Sequence, residues 1–176
     1  DKGVVGFDIA GPEIDFPPRI HRQAFEIAHR NNLPITIHAG EAAGPEYIEE
    51  ALTICHASRI GHGTSAREKI LDNGQAITSY GIATELVERG IALEVCPTSN
   101  IHTGIADSHH SHPVNTFLDA GLTVTINTDN RLMSSTSLTN ELFQCCNAFD
   151  WTWEEITSVT LNACLLYTSP SPRDLY

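Results

Sequence analysis

The feature that most constrains this chain is a unit that recurs five times: a short β-branched run ending in polar residues, then a stretch with helical spacing. The runs are VVGFD from Val4 to Asp8, ITIHAGE from Ile35 to Glu41, RIGHG from Arg59 to Gly63, IALEVCPTSN from Ile91 to Asn100 and LTVTINTDN from Leu122 to Asn130. Read as apolar on both faces, they suit parallel strands covered by helices. Between them lie helical stripes: Ile20, Ala24, Ile27 and Ala28; Tyr47, Ile48, Ala51, Leu52 and Cys55; Ile82, Leu86 and Val87 before Gly90; Phe117 and Leu118 before Gly121. The glycines stand where helix C-caps belong, and Thr152-Trp-Glu-Glu155 has the capping-box pattern of a last helix. Comparable strand ends fall at Asp8, His38, His62, Cys96 and Asp129, roughly 30 residues apart, the period of a (β/α)8 barrel of about 250 residues.

Order along the chain does not separate such a barrel from an open doubly wound sheet. Two features favour the barrel. No G-x-G-x-x-G or P-loop is present, and every strand ends in residues able to do chemistry, as on the C-terminal face of barrels. The expected fold is therefore α/β, a partial (β/α)8 TIM barrel of about five strand–helix units. It is expected over residues 1–163 as one domain. From Cys164 the character changes abruptly to CLLYTSPSPRDLY, which reads as translated adaptor sequence or a disordered tail and is set outside the fold.

Charge and cysteine usage narrow the function. Ten Lys and Arg against 22 Asp and Glu leave a net charge of −12, which argues against an electrostatic grip on nucleic acid or anionic lipid. No apolar run approaches the roughly 18 residues of a membrane helix. Five cysteines, an odd number without C-x-x-C, suit reduced thiols and a cytoplasmic location.

The strand ends hold the candidate chemistry. His38 could bind a metal with Glu41 as an acid or base beside it; alternatively His38 is a buried structural imidazole and Glu41 caps the next helix. His62 lies between Gly61 and Gly63, which would let the backbone approach a ligand. Asp129 could ligate a metal, although Asp-Asn is also turn chemistry. Together the imidazoles and carboxylates suit a hydrolytic metal site with nitrogen and oxygen donors appropriate to Zn²⁺. His109-His110-Ser-His112 has an H-x-H spacing but precedes a helix, and reads as a polar loop. Cys96 reads as a packed, inert thiol, and Asp8 and Glu94 as strand-end hydrogen-bonding partners.

The ordered series GFDIAGPE, TIHAGE, RIGHG, LEVCPTSN and NTDN resembles the C-terminal five-eighths of the adenosine deaminase family, in its bacterial form, within the metal-dependent hydrolases. The resemblance covers residues 1 to about 163. It implies a (β/α)8 barrel with one catalytic Zn²⁺ that hydrolyses adenosine and deoxyadenosine to the inosine product and ammonia. It further implies His38 and Asp129 as metal ligands, Glu41 as the proton donor to purine N1, and His62 as the residue that orients and helps deprotonate the attacking water. The Gly11 N–H would contact N3 and Asn130 the N7 edge of the substrate. Two departures stand out. The family's H-x-H pair of zinc ligands does not precede Asp8, so the chain would begin after the third unit of a longer protein and be inactive alone. Asn130 stands where many members carry a second Asp. The nearest alternatives are an adenine or other aminopurine deaminase and a non-catalytic acidic binding module.

Overall fold

A computed structural model describes residues 3–167. Five strands form one parallel sheet: β1 (Phe7–Ile9), β2 (Ile35–Ala39), β3 (Arg59–His62), β6 (Ala92–Val95) and β7 (Val124–Ile126). Two further strands, β4 (Ile70–Asp72) and β5 (Ile77–Ser79), pair antiparallel in a separate hairpin. The helices are α1 (Arg22–Arg30), α2 (Pro45–Thr53), α3 (Ile82–Arg89), α4 (Pro97–His102), α5 (Val114–Asp119), α6 (Arg131–Ser134), α7 (Leu138–Phe149) and α8 (Trp153–Tyr167).

The sheet order β1-β2-β3-β6-β7 follows the chain without reversal. A doubly wound sheet reverses direction at a switch point, whereas a barrel adds each strand to the same edge. The monotonic order is thus that of an arc of a (β/α)8 barrel. One face of the arc is apolar: Ile35, Ile37 and Ala39 of β2, Ile60, Leu93, Val95 and Val124 are all at most 1% exposed and pack under the helices with Phe25, Ile48, Leu86 and Phe117.

The other face differs from the expectation of strands apolar on both sides. Successive side chains alternate across a strand, and the alternate positions here are Thr36 and His38, Arg59 and Gly61, Glu94, and Thr125. In register, His38 lies opposite Gly61, Gly61 opposite Glu94, and Glu94 opposite Thr125. The polar set therefore shares one row across four strands, with Arg59 paired to Glu94 at 2.8 Å.

The expected helices form, with Gly90 left-handed at the C-cap of α3 and Glu155 closing on the Thr152 N–H at 2.7 Å. α8 continues to Tyr167, past the expected boundary at 163, and the remainder of the expected tail lies outside the described residues. No helix among the described residues is long and apolar enough to cross a membrane.

Candidate active site

The site is built at the C-terminal ends of β2, β3, β6 and β7. His38 projects from β2 and its ring meets that of His62 edge-on, with centroids 4.9 Å apart. Space for it comes from Gly61: a Cβ there would lie 2.6 Å from His38 Cδ2. Gly61 is thus required by the neighbouring imidazole and not by approach of a ligand to backbone. Gly63 is left-handed and lies against Leu93.

His62 is 2% exposed and sits at φ 60, a conformation that non-glycine residues rarely adopt. Its Nε2 faces Glu41 Oε2 at 3.5 Å. Burial lowers its pKa, Glu41 raises it and His38 lowers it further, with smaller opposing effects from Asp129 and Glu13. Glu41 does not cap α2, whose N-cap is Gly44. Its Oε1 instead accepts hydrogen bonds from the Asn100 amide at 3.1 Å and the Thr103 hydroxyl at 3.2 Å.

Asp129 follows β7 at φ 52 and accepts a 2.7 Å hydrogen bond from the Ser99 hydroxyl at Oδ2. Asn130 caps α6: its Oδ1 accepts from the Met133 N–H at 3.1 Å, which leaves the NH₂ to donate elsewhere. Gly11 lines a cavity of about 160 Å³ that His38 also borders. The structure therefore places His62 between His38 and Glu41, in contact with each, holds Asp129 through Ser99 beside Asn100, and sets Asn130 next to Asp129.

Four supporting residues were not assigned roles from sequence. Ser99 and Asn100 open the short helix α4 directly after β6, inside the quoted CPTSN. Glu13 is 6% exposed and its carboxylate accepts the N–H groups of Glu41, Ala42 and Ala43 at 2.8–3.0 Å. Three successive amides aimed at one anion make a backbone nest that fixes the Glu41 main chain. The fourth lies in the His-rich stretch, which is a loop as expected but turns its last imidazole inward: His112 is 3% exposed, bonded to Asn100 and to the Val114 N–H. Burial first, then His109 and His62, push its pKa down to about 4. His109 faces Thr98 at 3.2 Å and His110 the Ala148 carbonyl at 2.9 Å. Cys96 is buried, and desolvation followed by the charges of Asp129, Glu41 and Glu141 raises its thiol pKa well above the usual range, as an inert thiol requires.

His38 and Asp129 supply nitrogen and oxygen donors of the kind zinc takes. Among the described residues, however, no three His, Cys, Asp or Glu side chains are grouped to hold a metal ion. The donors present fit as part of a zinc site and do not complete one.

A family model described as adenosine deaminase matches residues 1–172. An adenosine deaminase from Mycobacterium leprae is 46% identical over 164 residues, covering 93% of this chain and 45% of that protein. The chain thus spans about half the length of the curated relatives it matches. Among solved structures, an adenine deaminase from Arthrobacter aurescens matches with a TM-score of 0.83 at 25% identity, over 97% of this chain and 49% of the other. An amidohydrolase from Burkholderia ambifaria with bound Zn matches with a TM-score of 0.78 at 23% identity, over 92% of this chain and 43% of the other, a likeness of fold.

Proposed function

Since the chain belongs to the adenosine deaminase family, we propose that it is the C-terminal part of an enzyme that hydrolyses adenosine and deoxyadenosine to inosine or deoxyinosine and ammonia. The observation that carries this reading is the contact of His62 with both Glu41 and His38 at the strand ends, with Asn100 bridging Glu41 and His62.

An amino group leaves a purine only after water adds at C6, and that addition is eased by protonation at N1. Asn100 and Thr103 occupy Glu41 Oε1, so Oε2 is the oxygen that hands a proton to N1. His62, turned toward Oε2, orients the attacking water. The Gly11 N–H holds N3, and the Asn130 NH₂, freed by its capping carbonyl, donates to N7. We assign zinc to His38 and Asp129 together with donors from outside this chain, where it would supply Lewis acidity toward water. With two ligands of its own, the isolated chain binds zinc weakly and is inactive. The substrate is a small purine, and neither nucleic acid nor membrane is a partner. The five free thiols suit the cytoplasm.

A second reading, adenine deaminase, draws support from the adenine deaminase named above. Chromatography of products from the full-length protein separates the two. Inosine from adenosine supports the first reading. Hypoxanthine from adenine, with adenosine untouched, replaces it with the second. Absence of product from either purine, with zinc supplied, overturns both and leaves a non-catalytic module.

A further inference from the structure

A buried chain of hydrogen bonds sets which nitrogen of His62 carries a proton. It starts at the backbone of α5, where the Val114 N–H donates to His112 Nδ1 at 3.1 Å. A backbone amide can only donate, so Nδ1 holds a lone pair, and neutral His112 carries its proton on Nε2. That Nε2–H lies 3.2 Å from Asn100 Oδ1. The atom of Asn100 facing His112 must then be the carbonyl oxygen, because the amide nitrogen would set donor against donor. This fixes the amide orientation by chemistry.

The remaining end of Asn100 is its NH₂. One hydrogen goes to Glu41 Oε1 at 3.1 Å and the other to His62 Nδ1 at 3.1 Å. Asn100 is fully buried at 0% exposure, so all three of its bonds matter: a broken one leaves a polar atom with no water to replace it. Accepting at Nδ1, neutral His62 carries its proton on Nε2, the nitrogen facing Glu41 Oε2. The opposite tautomer would require Asn100 to flip, which would place its NH₂ against His112 Nε2–H.

We propose that Asn100 and His112 are positioning residues that lock neutral His62 as the Nε2–H tautomer, so that it offers a donor to the attacking oxygen and not a lone pair to its proton. This rests on the deaminase reading for its consequence in catalysis, but not for the tautomer itself. It changes the role implied by family resemblance: in this tautomer His62 donates to the water and holds no free lone pair for its proton.

The test is long-range ¹H–¹⁵N correlation spectroscopy on histidine-labelled full-length protein. The wild type is expected to show His62 protonated at Nε2 with an acceptor Nδ1. Asn100→Asp, nearly isosteric, presents only acceptors and is expected to reverse this, moving the proton to Nδ1. His112→Gln keeps a donor toward Asn100 and preserves the wild-type tautomer, whereas His112→Leu releases the amide and mixes the two. In turnover, His112→Leu is expected to lower kcat at least tenfold with KM within about twofold, and His112→Gln to recover most of the loss. A wild-type His62 protonated at Nδ1, or an Asn100→Asp protein whose tautomer is unchanged, overturns the proposal. If His112→Leu does not fold, Asn100→Asp and His112→Gln still decide it. Absence of deaminase activity would refute the functional reading and leave the spectroscopic result to decide the tautomer.

Discussion

At the scale of single residues, two of the seven non-glycine residues at positive φ among the described residues stand where the chemistry is proposed. His62 and Asp129 both sit at positive φ without being glycine, a cost of order 1–3 kcal/mol each that the surrounding bonds must offset. Gly61 is the clearest case of space set by a neighbour. Gly61→Ala is expected to push the His38 ring aside and destabilise the fold by about 1–3 kcal/mol, as overpacking does; chemical denaturation reads it, and an unchanged midpoint would show that the ring yields freely. His112 gives a pH signature. Its folded pKa of about 4 lies below the 6.5 of a free imidazole, so the unfolded chain binds the proton more readily. Stability is thus fully present above pH 6.5 and is lost as pH falls toward 4, by about 3 kcal/mol in all. Denaturation midpoints across that range are expected to fall in the wild type and to flatten in His112→Gln; parallel curves would contradict the assignment.

Secondary-structure elements show how much was legible in the chain and where legibility ended. The five parallel strands were visible because each pairs β-branched residues with a polar end. The alternation in Ile35-Thr-Ile-His38 also marked a polar face, though a run dense in isoleucine hid it. The hairpin β4–β5 was missed although Asn73-Gly74 lies between Ile70 and Ile77, a two-strand turn signal. The helix α4 was missed because it starts with Pro97 immediately after the strand, so that Cys96 to Asn100 looked like one strand end. His38, Glu41, His62 and Asp129 stood out by type and place. Asn100, His112 and Glu13 did not, since their partners lie 12 to 59 residues away and depend on how the loops stack. Glu13 joins the segment after β1 to the one after β2. Glu13→Ala leaves three N–H groups without their anion and is expected to cost about 3 kcal/mol, against about 1 kcal/mol for Glu13→Gln, which keeps an acceptor. Equal losses in urea titrations would show that the carboxylate does not anchor this loop.

At the scale of the molecule, the five-stranded arc presents a helix-covered apolar face and a polar face that bears the site. β1 and β7 are its edges among the described residues; Phe7 of β1 is 38% exposed, and Val5 before it 84%. Closing such an arc needs further strands, and the curated relatives have length for them, since the chain spans 45% of the Mycobacterium leprae protein. On the proposed reading, the same closure would bring the donors that complete a zinc site with His38 and Asp129. In the proposed function this face, within the full-length protein, deaminates a purine nucleoside with Glu41 as its proton donor. Ammonia release from adenosine by the full-length protein, measured for wild type and Glu41→Gln at equal zinc content, tests it most directly. Turnover in the wild type and a loss of about 10²–10⁴-fold or more in Glu41→Gln with zinc retained are expected; a loss of less than about tenfold would contradict the role of Glu41 as proton donor.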